Sequence, residues 1–500
     1  VTDIIRPLAL QMTRDYHLPI PELSLGPLHV LLVAVVFEVR GAVDDAVATA
    51  STIPLALTVP VIYLIGARLF SRRVGVLSVI VYVVALRIVQ LSISGTWYPL
   101  SALVVALMFL VLTYARGERA RVPWWIVVAE GGLLGVLYLA DPQAWFVLFP
   151  LAAYFLMRGG ADRRSWGRVG VMLVVALVVA SPWLIRNAVV VGNPFFNLRG
   201  YELCMNNHEN TGFSLYRRFN VPVHPPFVYL LINLMTAFSR LTTGVRIMQS
   251  DVLLYPDLYI TAAFMFGLLI RAGSDELRRL KWTVAIGVGV GFLFAAMRSP
   301  SLWPTSVTLY VLSPLVTVFG IGMLVELVRR LEIHLFYENL VLAVVPVVVA
   351  IPLLATIASS VAAGRLPDVK NVPLTFQTIA AEVPAGVPVY TDSPWLLAWY
   401  GKRPAVWLPQ RPSDIRDLIA HVPMKVGCLT SMLRGYSQSE DFGYWQTLYS
   451  GIRTPEGYEV VRWFYTEGSY IFAVPGLIPP LSRSDTGAPH PASPPVEGSE

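Results

Sequence analysis

Apolar runs recur along this chain at a length matched to a lipid bilayer. They fall at 46–68, 74–91, 97–115, 122–140, 143–157, 169–191, 252–270, 281–297, 305–328 and 338–362. A helix of roughly 17–25 such residues crosses the hydrocarbon, and 143–157 is the short one of the set. With 55% hydrophobic and 14% charged residues, the chain holds more apolar surface than a water-soluble fold could bury. The expectation is an all-α polytopic membrane core of about ten spans.

The connecting loops alternate in charge. Arg68, Arg72 and Arg73 fill one, Arg116, Arg119 and Arg121 the next of that set, then Arg158, Arg163, Arg164 and Arg168. Arg271, Arg278, Arg279 and Lys281 follow, and Arg329 and Arg330 close the series. The short loops between them, 92–96, 141–142 and 298–304, carry one arginine in total. Arginine-rich loops stay in the cytoplasm, so the net charge of +6 speaks for orientation in a cell (inner) membrane and not for nucleic acid. Residues 27–37 would rise only about 16 Å as a helix, too short to cross. They read as a juxtamembrane or re-entrant helix, which puts residues 1–45, the loop 192–251 and everything after 362 on the outer side.

After 362 the composition changes. GVPVYTDS, AVWLP, KVGCLTS and YEVVRWFY read as short strands, with SPWLLAWYG and SDIRDLIAHV as helices. The predicted organisation is an outer juxtamembrane segment 1–45, a membrane core 46–362 and a small α/β domain 363–476, followed by a disordered tail 477–500. Cys204 and Cys428 both fall outside the cytoplasm in this topology, where a disulfide is allowed, and nothing fixes their distance.

Charged groups inside apolar runs are the first site candidates. Arg186 lies at the outer rim of VGVMLVVALVVASPWLIRNAVVVGNPFFNLR, either snorkelling to headgroups or holding a ligand. Arg87 lies late in an outward-going span, and a salt bridge to Asp141 or another rim acid competes with a binding role. Glu130, mid-span beside Gly131 and Gly132, fits helix packing as a protonated or hydrogen-bonded acid. His208, Glu209 and His224 lack close helical spacing, so no metal site is assigned and a divalent metal stays open.

Several stretches together resemble the GT-C superfamily of integral-membrane glycosyltransferases. The likeness is to bacterial family 39, the group of protein O-mannosyltransferases and aminoarabinose transferases. The carriers are PLHVLLVAVVFEVRG with TVPVIYLIGARLFSRRVGVLS, then SPWLIRNAVVVGNPFFNLRGYELCM, then VYTDSPWLLAWYGKRPAVWLP. The resemblance implies transfer of a sugar from a polyprenyl-phosphate carrier to a glycan, lipid or protein acceptor on the outer side, with membrane lipids as further partners. It implies Asp3 as the base, from its place early in the first outer loop, with Asp15, Glu22, Glu38, Asp44 and Asp45 in reserve. It implies Arg186, then Arg87, at the lipid phosphate, with Trp183, Asn187, Tyr201 and Glu202 as further contacts.

The chain departs from that pattern. Leu25, Gly26 and Pro27 stand where the family has His-Pro-Pro or Lys-Pro-Pro, and Ala48 where it has arginine. Trp97 or Tyr98 replaces an acid, and Leu309–Tyr310 replaces Arg-Tyr. The family's first helix is also expected ahead of the loop with Asp3, and a misassigned or truncated start would account for its absence. These departures leave two readings: an inverting lipid-phosphate-sugar-dependent glycosyltransferase, or a degenerate member that binds lipid-linked sugar or scaffolds an envelope complex. The topology is testable directly. Single cysteines placed at 164 and 279 should resist an impermeant thiol reagent in intact cells, and cysteines at 210 and 402 should react.

Overall fold

The structure is a computed structural model. It describes residues 26–115, 122–160, 162–197, 200, 203–204, 226–253, 256–271, 273–298, 305–332, 334–362, 371–409, 415, 419, 422–430, 447, 457–464 and 469–478. These fall into two compact units, a helical one up to residue 362 and an α/β one from residue 371 onward.

Each predicted apolar run meets a helix. The helical unit comprises α1 (Pro27–Arg40), α2 (Asp44–Leu69), α3 (Arg72–Val84), α4 (Leu86–Ser92), α5 (Tyr98–Leu112), α6 (Trp124–Ala140) and α7 (Leu148–Gly159). It continues with α8 (Arg163–Val191), α9 (Pro226–Ile232), α10 (Leu234–Leu253), α11 (Leu258–Leu269), α12 (Asp275–Met297), α13 (Ser313–Arg330) and α14 (Leu335–Ala362). Among the described residues five helices are long and apolar enough to cross a membrane alone, and the bent pair α3–α4 makes a sixth only if it is counted as one span. That pair breaks by 64° at Ala85, whose extended backbone interrupts the run the sequence presents as continuous. Two corrections concern 192–270. The segment read as a loop to 251 contains α9 and α10, and the span expected from 252 starts at Leu258. Helix α10 escaped notice because it is amphipathic: Arg240 and Arg246 share it with exposed Leu234, Met235 and Phe238.

Helix α8 shows why the local sequence folds as it does. Asp162 caps its start by accepting from the Ser165 amide at 2.7 Å. Gly192, left-handed at φ 76°, ends it. Along its middle α6 presses closely against it, because Gly131 and Gly135 carry no side chain there. A Cβ on Gly131 would lie 2.6 Å from the Met172 carbonyl oxygen. Small residues at such crossings let backbones approach and gain dispersion contact where lipid offers no hydrophobic drive. Helix α14 instead buries little besides Leu342 and Val349 and leaves a long apolar flank outward.

The arginine-rich end of the bundle is stitched by its own charges. Arg158, whose side chain is 1% exposed, donates to Glu276 Oε2 at 2.6 Å, and Tyr154 donates to Oε1 at 2.6 Å, joining α7 to α12. Arg73 pairs with Glu338 at 2.9 Å and ties α3 to α14. Lys281 caps α11 through the carbonyls of Gly267, Leu268 and Ile270, and Arg68 lies 3.7 Å over the Tyr114 ring.

The second unit holds α15 (Asn371–Glu382), β1 (Val389–Thr391), α16 (Pro394–Tyr400), β2 (Ala405–Trp407), β3 (Val426–Leu429), β4 (Glu459–Phe464) and β5 (Ser469–Ala473). Its sheet runs β2-β1-β3-β5-β4, with β2, β1 and β3 parallel and β5 antiparallel to both its neighbours. Four strands match the expectation, while β5 and α15 were not anticipated. Of SDIRDLIAHV, Ile415 and Ile419 are helical, and of the predicted tail, Leu477 and Ile478 are described, with Ile478 buried in the core of this unit.

Breaking a buried ion pair is costly because the surviving charge stays desolvated. Glu276→Gln, which removes the carboxylate charge facing the deeply buried Arg158, is expected to cost about 3 kcal/mol. Arg158→Met should cost less, since Glu276 is partly exposed and keeps Arg279 at 3.5 Å. Unfolding of the detergent-purified variants by SDS titration checks the order, and the reverse order would refute it.

Candidate functional site

The sequence candidates at the end of α8 come together. Trp183 and Arg186, one turn apart, stack with the guanidinium 4.2 Å from the ring centroid. Arg186 also donates to Asn187 Oδ1 at 3.0 Å. Asn187 is buried and donates in turn to the Phe196 carbonyl at 3.3 Å, tying the Gly192–Asn193–Pro194 exit back onto the helix. The amide of Asn187 is thereby engaged on both sides, and its geometry orients Arg186. The guanidinium itself is half-buried.

Arg87 stands apart from this group. It opens α4 just beyond the bend, is exposed, and has no ion-pair partner among the described residues. Asp141, its expected alternative partner, lies at the end of α6 and accepts from the Gln143 amide at 3.0 Å. Asp3, Asp15, Glu22, Tyr201, Glu202, His208, Glu209 and His224 lie outside the described residues. Glu38, Asp44 and Asp45 are exposed around the junction of α1 and α2. Among the described residues no His, Cys, Asp and Glu group could hold a metal ion.

Two buried arginines were missed at the same end of the bundle. Arg298, following α12, donates to Thr308 Oγ1 at 3.0 Å. It was legible as the single arginine of the otherwise arginine-free loops. Arg240 on α10 bonds the Leu203 carbonyl beside Cys204. Burial pushes the Cys204 thiol up to about 11 although Arg240 pulls it down. Cys204 and Cys428 are not joined by a disulfide, and both are buried, in separate units.

The positions that depart from the family pattern converge on one wall. Trp97 and Tyr98 pack with ring centroids 5.0 Å apart, and Tyr98 meets Tyr310 at 6.5 Å. Tyr310 is fully buried and shares a hydrogen bond with Ser92 at 3.2 Å. Ser51 and Thr52 of α2 donate to the carbonyls of Thr96 and Ser92, holding the α4–α5 turn in place. Gly26 closes this corner: a Cβ there would sit 2.3 Å from the Leu139 carbonyl oxygen. Glu130 is fully buried, and neither of its oxygens has a hydrogen-bond partner among the described residues.

The α/β unit has a polar cluster of its own at the carboxyl ends of β1 and β3. Strand β1 lies between β2 and β3, so the chain leaves it towards one side and returns on the other, the arrangement in which open α/β sheets form a crevice. Here Asp392 fills the position. Its carboxylate accepts from the Thr430 amide at 3.0 Å, from Thr430 Oγ1 at 2.8 Å and from Thr391 Oγ1 at 3.2 Å. Burial pushes its pKa up to about 6, against the lowering effect of the Thr430 bonds.

The resemblance read from the sequence is met by a family model over part of the chain and by a fold shared with solved proteins. Residues 24–185 match the sequence-family model described as dolichyl-phosphate-mannose-protein mannosyltransferase. The fold is shared with ArnT from Cupriavidus metallidurans, solved bound to undecaprenyl phosphate, at a TM-score of 0.52 and 14% identity over 96% of this chain and 94% of that one. It is also shared with the archaeal oligosaccharyltransferase AglB from Archaeoglobus fulgidus, in complex with an inhibitory peptide and a dolichol-phosphate. There the TM-score is 0.52 at 14% identity, over 87% of this chain and 65% of that one. No curated protein sequence matches the chain. The family match stops one residue short of Arg186.

Asp392 generates a pH prediction. Its carboxyl is raised in the fold, so its contribution to stability is complete below about pH 4 and is lost as pH rises through about 6, up to about 3 kcal/mol. In a Cys204→Ser background, Cys428 should therefore become reactive to a pyridyl disulfide at a lower temperature at pH 7.5 than at pH 5. Asp392→Asn should flatten that difference; an unchanged difference would refute the assignment.

Proposed function

We propose that this chain is a glycosyltransferase of the cell membrane that moves a sugar from a polyprenyl-phosphate carrier to a glycan, lipid or protein acceptor on the extracytoplasmic side. The observation that supports it most is the half-buried Arg186 guanidinium, held by Trp183 and Asn187 at the end of an apolar helix. As the glycosidic bond breaks, the departing lipid phosphate gains negative charge, and a pre-placed cation stabilises that charge more in the transition state than in the ground state. Arg186 supplies it in this reading, with Arg87 as the second cation where the carrier's head enters from the lipid.

The acceptor hydroxyl needs a base within hydrogen-bond reach. The reading assigns Asp3. Attack on the face opposite the leaving phosphate inverts the anomeric carbon, so one carboxylate serves and no covalent sugar intermediate forms. The reading puts the C-terminal α/β domain on the acceptor's side of the membrane.

The test is incubation of the purified protein with a panel of polyprenyl-phosphate sugars, with consumption of the carrier-bound sugar as the readout. Arg186→Ala should lower kcat on the consumed donor about 100-fold, while the variant inserts and melts like the parent. Full activity in that variant would remove Arg186 from the phosphate.

A further inference from the structure

The arginine-rich end of the bundle neutralises its charges unevenly. Each carboxylate on α12, α13 and α14 is met by an arginine: Asp275 by Arg278, Glu276 by Arg158 and Arg279, Glu326 by Arg330, and Glu338 by Arg73. The corner where α6 and α8 begin is built differently. Arg68 lies over the Tyr114 ring at 3.7 Å, Tyr114 meets Trp125 at 6.4 Å, and Arg168 lies 5.7 Å from the Trp124 centroid. Arg163 and Arg164, which open α8, are exposed and have no ion-pair partner among the described residues. Asp162 brings a carboxylate to this corner, and it caps the helix by accepting from the Ser165 amide.

The backbone adds to this excess of positive charge. Helices α6 and α8 run parallel, since Gly131 abuts Met172 and Gly135 abuts Ala176 and Val179. Their starts therefore lie side by side, and neither first turn carries an acidic residue. The opening amides of a helix lack intrahelical partners and carry partial positive charge, which favours anions there. Arg163 and Arg164 stand against that dipole. Around them Trp124, Trp125 and Trp166 are each more than half exposed, and indoles placed in this way settle at the headgroup level of a bilayer. Further along the helices Val128, Val171 and Val174 present exposed apolar flanks. Cationic groups at one level and apolar flanks at the next match a molecule with a phosphate head and acyl tails; a soluble anion would use the first alone.

We propose that the starts of α6 and α8 bind an anionic glycerophospholipid, with Arg163 and Arg164 at its phosphate and the exposed indoles beside its glycerol and ester groups. The site is at the other end of α8 from Arg186 and does not depend on the sugar-transfer reading.

The test is a titration of tail-labelled fluorescent phosphatidylglycerol into the purified protein in micelles of an uncharged detergent, with phosphatidylcholine bearing the same tail as the reference. The expected result is saturable binding of phosphatidylglycerol and not of phosphatidylcholine. Combining Arg163→Gln with Arg164→Gln should weaken it about thirtyfold, about fivefold for each charge removed near the headgroup. Combining Arg278→Gln with Arg330→Gln removes the same charge at the same end, from arginines that already face carboxylates, and should leave the affinity near that of the parent. All four side chains are exposed, so both double variants are expected to melt like the parent. Equal affinity for the two lipids overturns the proposal. So do equal losses in the two double variants, since the charge of the whole face would then suffice. Displacement of the labelled lipid by glycerol 3-phosphate as readily as by unlabelled phosphatidylglycerol overturns the lipid as occupant and leaves a site for a soluble anion.

Discussion

An ionised group inside an apolar bundle has to be met by another part of the chain, and the Arg158–Glu276–Tyr154 cluster is where this molecule meets that requirement most fully. Two charges and a hydroxyl close on one another at hydrogen-bond distance, which offsets much of the loss of water. The same requirement explains Lys281 over three helix-terminal carbonyls and Arg73 against Glu338. Residues that set membrane orientation in the sequence therefore also join helices in the fold. At the opposite end the joints include hydroxyl–carbonyl bonds and ring edges, as with Ser51, Thr52, Trp97 and Tyr98. Neutral joints of this kind are broken at lower cost than desolvated ion pairs.

Much of the architecture is legible in the sequence. Length and apolarity place the long helices because a bilayer accepts few other solutions. What they do not register is a break such as Ala85, where composition stays apolar and only the backbone turns. Nor do they register α10, whose arginines dilute the hydropathy that a transmembrane reading looks for, although its period is helical. The strand β5 was passed over because Ser469–Ala473 is short and stands close behind β4.

The site was less legible, for a chemical reason. Arg186 stood out because charge in hydrocarbon is rare, and Arg298 was visible as the exception to an alternating pattern. Arg163 and Arg164 read in the sequence only as orientation signals; which arginines meet a carboxylate is carried by geometry alone. Asn187 reads as a ligand contact in sequence, yet its amide is engaged by Arg186 and the Phe196 carbonyl. At 14% identity to ArnT and AglB the shared fold carries no residue roles across, so the chemistry has to be tried on this chain's own groups.

The break at Ala85 has a consequence for the surrounding lipid. Helix α3, with thirteen residues, rises about 20 Å before the chain turns aside, against a hydrocarbon layer of about 30 Å. Counted as one span, the pair offers less than that thickness before the bend, and the mismatch has to be taken up by lipid, by tilt or by the neighbouring helices.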